Sequence, residues 1–179
     1  MKSIEYDRPY VKLNGGTEPK LLYLHGKDEE TKYPGGGVIY KTLSKYFNID
    51  LAEISSIPEQ GLEDFNNIDL SQYDLLVGFS MGGVYSSIQD KIPMVLINPG
   101  YGLSRLWPKF KTLDNLSLKV KKDLVNCIMV GDNDKFKKGY VPEIEKRGLS
   151  DKIHNFPSKH IPTENEIKEY IIPEIEKFV

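Results

Sequence analysis

Residues 75–83, LLVGFSMGG, decide how this chain folds. Leu75, Leu76 and Val77 make a continuous apolar run, which reads as a strand buried on both faces, as in a parallel sheet. Gly78, Phe79, Ser80, Met81 and Gly82 follow, and Gly83 and Val84 open a stretch with helical character. A serine with glycine two residues before and two after, at a strand-to-helix junction, marks a very sharp turn. We expect both glycines to relieve contacts with the serine, whose hydroxyl then projects above the sheet edge where a carbonyl can reach it.

Working outward, further short apolar runs predict strands over Lys20–Leu24, Ile49–Ile54, Tyr73–Val77, Pro93–Ile97, Leu124–Val130 and Ile153–Phe156. Spacings of three and four predict helices over Val38–Phe47, Met81–Gln89, Tyr140–Arg147 and Glu164–Phe178, the last kinked or interrupted at Pro173. Ser55–Ser71 reads as weakly structured, with one irregular turn around Leu62–Phe65. Residues 101–123 read as one or two short helices over the sheet rim. Ile4, Tyr6, Val11 and Leu13 could form an edge strand. Strands alternating with helices predict an α/β fold. We expect a three-layer sandwich with a mostly parallel six- or seven-stranded sheet, built as one domain over residues 1–179 without a large lid.

Composition excludes several function classes. The 179 residues carry a net charge of −2 with scattered basic side chains, unlike the concentrated positive footprint of a nucleic-acid binder. No apolar stretch approaches the roughly 18 residues of a membrane span. The N-terminal MKSIEYDRPYVKL lacks the apolar region of a secretory signal, so the expected compartment is the cytoplasm. The single cysteine, Cys127, lies in an apolar run and reads as a packing residue.

Ligands gather at the carboxyl ends of the strands in an open parallel sheet. The polar residues there are His25, Gly26 and Lys27, then Ser80, Asn98, Asp132 and Asp134, and finally His160. A serine hydroxyl needs a base to take its proton, and an imidazole base needs a carboxylate to hold its tautomer. Of the three histidines, His154 falls within a strand and His25 suits shaping a turn, which leaves His160 as the base. Asp134 is the expected acid, because the Gly131-Asp132-Asn133 turn lets it point back toward the histidine. Asp132 is the alternative. The backbone N–H groups of Met81 and Lys27 are the expected oxyanion donors.

LLYLHG at 21–26, LLVGFSMGG at 75–83, GDND at 131–134 and KHIP at 159–162 together resemble the α/β-hydrolase superfamily. The compact size and the INPG at 97–100 are similar to the small YqiA-like esterases. The resemblance implies Ser80 as nucleophile, Asp134 as acid and His160 as base. It also implies hydrolysis of a small or exposed carboxylic ester, or of a thioester or amide, through an acyl-enzyme and without a cofactor. That is carboxylic-ester hydrolase chemistry on a small-molecule acyl substrate.

Phe79, Tyr101 and Trp107, with Leu103, Leu106 and Tyr33, are the expected pocket wall. Two rivals share the fold: an inactive binding module and an acyltransferase. The consecutive Gly35 to Gly37 match no phosphate-binding pattern. Three scattered histidines suggest no metal centre.

Overall fold

The computed structural model describes residues 18–26 and 37–179. Strands β1 (Lys20–Leu24), β2 (Asn48–Ala52), β3 (Leu75–Phe79), β4 (Met94–Ile97), β5 (Val125–Gly131) and β6 (Ile153–Phe156) form one sheet. Every pairing is parallel, in the order β2-β1-β3-β4-β5-β6. From β1 the chain steps outward to β2, returns past β1 to β3, and then proceeds in one direction. The order therefore reverses between β1 and β3, and a crevice opens beyond their carboxyl ends.

Successive strand side chains point to opposite faces, and these strands are apolar on both. Leu22, Leu24, Leu76, Leu96, Ile128 and Val130 face one way. Leu21, Tyr23, Leu75, Val77, Val95 and Ile97 face the other. Helices α2 (Pro58–Asn66), α3 (Met81–Ser86), α4 (Lys111–Ser117) and α5 (Lys137–Lys146) supply the first layer through Phe65, Val84, Leu113 and Ile144. Helix α1 (Gly37–Leu43) and the last helix, α6 (residues 164–175), supply the opposite layer through Ile39, Leu43, Ile167 and Ile171. The result is an α/β sandwich of three layers around a six-stranded parallel sheet.

Several local expectations need correction. Ser55–Ser71 is not weakly structured: it contains α2, begun by Pro58 at its first position, where a missing N–H costs nothing. Gly61 interrupts the pattern within this helix, but a Cβ there would meet the Tyr85 hydroxyl at 2.3 Å and the Ser55 carbonyl oxygen at 2.5 Å. Tertiary contact, not loop character, explains that glycine. The strand expected over Tyr73–Val77 is shifted to Leu75–Phe79, and α1 stops at Leu43 instead of Phe47. The suggested edge strand near the N-terminus lies outside the described residues.

Pro173 neither breaks nor ends α6. Thr163 and Glu166 cap the helix reciprocally. The backbone then widens to a π-helical turn over Ile167–Ile171 before continuing as Ile172–Ile175. Proline has no N–H to give the carbonyl four residues back, and the wider turn accommodates that missing bond.

Helices α4 and α5 are joined by a buried charge. The Arg147 guanidinium, fully buried, donates to the Glu143 carboxylate (3.0 Å), the Ser117 hydroxyl (2.8 Å) and the carbonyls of Glu143, Ser117 and Asp114. It also lies 4.1 Å from the Tyr101 ring centroid. A buried cation with this many acceptors avoids the desolvation cost of an unpaired one. The segment between β4 and α4 is thereby fixed to α5.

Candidate active site

Strand β3 ends at Phe79 and α3 begins at Met81, so Ser80 alone makes the turn. Its φ of 51° and ψ of −115° lie where non-glycine residues are rare, a strain of about 1–3 kcal/mol. Backbone bonds impose it. The Ser80 N–H donates to the Ile97 carbonyl at 3.0 Å, and the Ser80 carbonyl accepts from Gly83 (3.0 Å) and Gly100 (2.7 Å).

The flanking glycines are required, though for a reason different from the one expected. A Cβ on Gly78 would stand 2.4 Å from Ser86 Oγ and 2.8 Å from Gly83 Cα. On Gly82 it would stand 2.1 Å from the Leu24 carbonyl oxygen. The close approaches are thus to α3 and to β1, not to the serine. They let the helix pack tightly against the sheet and aim its first turn at the crevice.

The loop after β5 supplies a carboxylate and the loop after β6 an imidazole. His160 Nε2 is 3.1 Å from Ser80 Oγ, and His160 Nδ1 is 2.8 Å from Asp134 Oδ2. Since Nδ1 faces a carboxylate, it carries the proton and donates, leaving Nε2 to accept from the serine hydroxyl. The imidazole ring lies between Phe79 (centroids 5.2 Å apart) and Phe136 (4.9 Å, edge-on), which restricts its rotation.

Asp134 is buried. Its Oδ1 accepts from the Phe136 N–H at 2.8 Å, and its Oδ2 also accepts from the Tyr140 hydroxyl at 2.9 Å. Burial pushes the carboxyl up, but the bond and charge of His160, the Phe136 N–H and the Tyr140 hydroxyl outweigh it and hold Asp134 below the ordinary carboxylate value. Burial and the Asp134 charge push the Tyr140 phenol strongly upward, so it remains a donor at neutral pH. Asp132 is exposed and pairs with Lys137 at 2.8 Å instead.

Asn98 joins these loops. It is fully buried and holds a φ of 43°, a left-handed conformation that asparagine tolerates. Its Nδ2 donates to the His160 carbonyl at 2.8 Å and toward that of Lys159 at 3.3 Å. Its Oδ1 accepts from the Gly131 N–H at 2.8 Å and contacts the Tyr140 hydroxyl at 3.0 Å. In the sequence Asn98 stands out only as a polar residue at a strand end, and Tyr140 only as the start of a helix. His25, by contrast, shapes a turn as expected: its Nδ1 donates to the Gly26 carbonyl at 2.7 Å, and its Nε2 accepts from the Ile54 N–H at 3.4 Å.

A cavity of about 420 Å³ opens beside Ser80 and His160. Phe79, Tyr101, Trp107, Leu103 and Leu106 line it. Tyr101 contributes only its ring, because its hydroxyl is bonded to Ser87 inside the core. Phe136 and Ile161 also line the cavity and were missed. Their positions, two residues after Asp134 and one after His160, were the available signal. The Met81 N–H belongs to the first turn of α3, where N–H groups have no intrahelical acceptor. Lys27 and Tyr33 lie outside the described residues.

A hydroxyl, an imidazole and a buried carboxylate in hydrogen-bonded series, next to an apolar cavity, can move a proton off the hydroxyl as it attacks an acyl carbon. Among the described residues, one group of three potential metal ligands occurs, Cys127, His154 and Glu174. It does not include these residues. No described helix is long and apolar enough to cross a membrane.

No family model matches this chain, and neither does any curated protein. Three solved structures of esterase B from Lactobacillus rhamnosis share its fold. The structure from strain HN001 superposes with a TM-score of 0.60 at 14% identity, covering 93% of this chain and 77% of the esterase. A form described as C6-C4 SN3 inhibited gives a TM-score of 0.54 at 16% identity, with the same coverage. A form inhibited with a C4-C4 SN3 tributyrin phosphonate gives 0.55 at 14% identity, covering 93% of this chain and 75% of the esterase.

Proposed function

We propose that this protein is a serine esterase of the α/β-hydrolase type, a small one of the YqiA-like kind. The observation that carries the reading is the hydrogen-bonded series Ser80, His160 and Asp134 on a strained turn at the mouth of an apolar cavity. In this reading, Ser80 Oγ attacks the ester carbonyl while His160 Nε2 takes its proton. Asp134 stabilises the imidazolium that forms. The Met81 N–H, and the N–H of Lys27 as second donor, receive the negative charge that develops on the carbonyl oxygen. Collapse of the tetrahedral intermediate expels the alcohol, which takes the proton from His160. A water molecule, deprotonated by the same imidazole, then releases the acid from Ser80.

A cavity of this size and lining suits a short acyl group. The form of the structural neighbour inhibited with a tributyrin phosphonate supports choosing short-chain esters as first substrates. A fluorophosphonate is the first test: it should label the protein at Ser80, and Ser80→Ala should remove both the label and the hydrolysis of p-nitrophenyl butyrate. Folded protein that neither labels nor hydrolyses short esters would refute the reading in favour of a binding module. Release of the free acid, with no transfer to added alcohols, separates a hydrolase from an acyltransferase.

A further inference from the structure

Away from Ser80, three side chains from separate elements converge on the sheet face covered by α6. Cys127 is the third residue of β5, His154 the second of β6, and Glu174 comes from the last turns of α6. Met129, two residues after Cys127 and so on the same face, is the register partner of His154. One potential ligand atom from each of the three residues lies within 4.8 Å of the other two. We propose that Cys127, His154 and Glu174 form a binding site for a thiophilic divalent cation of the zinc class, with water as the fourth ligand.

The donor set suits such a cation. A thiol, an imidazole and a carboxylate are the three side-chain types that bind zinc, and three protein ligands leave a position open for solvent. A tetrahedral zinc with sulfur at about 2.3 Å and nitrogen and oxygen at about 2.0 Å holds its donors about 3.3–3.6 Å apart. His154 Nδ1 and Glu174 Oε2 already stand 3.2 Å apart. Bringing in the sulfur needs a contraction of about 1 Å, within the torsional freedom of the half-exposed His154 ring and the Glu174 side chain.

One polar atom of the cluster is unmet. Glu174 Oε1 accepts from Lys177 Nζ at 2.6 Å. Oε2, the oxygen turned toward His154, is buried and has no hydrogen-bond partner among the described residues. Its 3.2 Å contact with His154 Nδ1 lacks hydrogen-bond alignment. A buried carboxylate oxygen left this way is costly, and a cation would satisfy it. Cys127 is fully buried, while the His154 side chain is 42% exposed, which gives an ion a path from solvent. Coordination deprotonates a thiol outright, its proton passing to water, so burial of Cys127 does not prevent binding.

Cobalt provides a readout independent of catalysis. Protein stripped with EDTA and titrated with Co²⁺ should develop a thiolate-to-cobalt charge-transfer band that saturates at one equivalent and is bleached by Zn²⁺. Cys127→Ala should abolish the band. His154→Ala, at an exposed position, should fold, retain the wild-type rate of ester hydrolysis and bind Co²⁺ about 100-fold more weakly, since even outer-shell changes at metal sites cost up to about that much. Should Cys127→Ala fail to fold, His154→Ala and Glu174→Gln carry the test. Absence of a thiolate band in the wild type, or unchanged Co²⁺ affinity in His154→Ala, would overturn the proposal.

Discussion

Replacing Tyr140 with phenylalanine tests how Asp134 is kept ionised. The Tyr140 hydroxyl has one proton and two facing acceptors, Asp134 Oδ2 at 2.9 Å and Asn98 Oδ1 at 3.0 Å. The carboxylate is the stronger acceptor, so the bond removed is charge-assisted. Asn98 Oδ1 would still accept from Gly131 at 2.8 Å, so no second buried group is orphaned. A hydrogen bond to a charged group contributes about 1.5–3 kcal/mol, and Asp134 is only 5% exposed, so solvent screens little of it.

The pH dependence follows from the depressed Asp134 value. Such a group stabilises the fold in full above its unfolded pKa of about 3.9 and loses that contribution as pH falls through the lower folded value. Tyr140→Phe lessens the depression. The stability difference between wild type and variant should therefore be about 1.5–3 kcal/mol at neutral pH and shrink below about pH 4. Urea denaturation of both proteins at neutral pH and near pH 3 would measure it. A difference that stays constant with pH, or falls below about 0.5 kcal/mol, would show that the proton goes to Asn98 and refute the argument.

Three further outcomes are expected. Asp134→Asn should lower kcat toward short esters by about 10⁴-fold, as in hydrolases where the amide fixes the wrong histidine tautomer; Asp132→Asn, which alters only an exposed pair with Lys137, should stay near wild type in the same assay. Arg147→Ala removes the buried guanidinium's bonds to Glu143, Ser117 and Asp114 while Glu143 keeps Arg105 as a partner, and should cost about 1–3 kcal/mol in chemical denaturation. Gly78→Ala should destabilise by about 1–3 kcal/mol, read as a lowered melting temperature, because the new methyl group meets the backbone of α3 at Gly83.

The parts of the fold that local chemistry determines were legible in the sequence. Apolar runs such as Leu21–Leu24 and Val125–Val130 located strands to within two residues, and the Gly78–Gly82 spacing located the turn at Ser80. Element ends were less legible: Tyr73 and Asp74 look continuous with Leu75, yet β3 begins only at Leu75, the first residue in register with β1, and β4 joins from Leu76. Helix α2 was hidden by Gly61, whose presence answers to Tyr85 on α3. Ser80, Asp134 and His160, which the fold brings into one hydrogen-bonded series, each follow a strand and so stand out in the sequence. Asn98 and Tyr140 could not be given tasks, because their partners lie up to 62 residues away. Cys127, His154 and Glu174 carry no spacing motif either; only the register of β5 with β6 and the seating of α6 bring them together.

The buried amide of Asn98 has a consequence for how this chain could change over time. Its four contacts reach the turn at Gly131, the hydroxyl of Tyr140 and the backbone at residues 159–160. The loops that carry Asp134 and His160 are therefore moored to one post at the end of a third strand. Drift in either loop is referred to the same fixed point, so the separation of Asp134 from His160 can survive substitutions around it. Inserted residues within 132–135 or 157–160 would pull a loop off that post. The segment 103–110, which carries Leu103, Leu106 and Trp107 of the cavity wall, lies outside those four contacts, and new length can be added there. Diversification of the cavity wall is thereby uncoupled from the spacing of Ser80, His160 and Asp134.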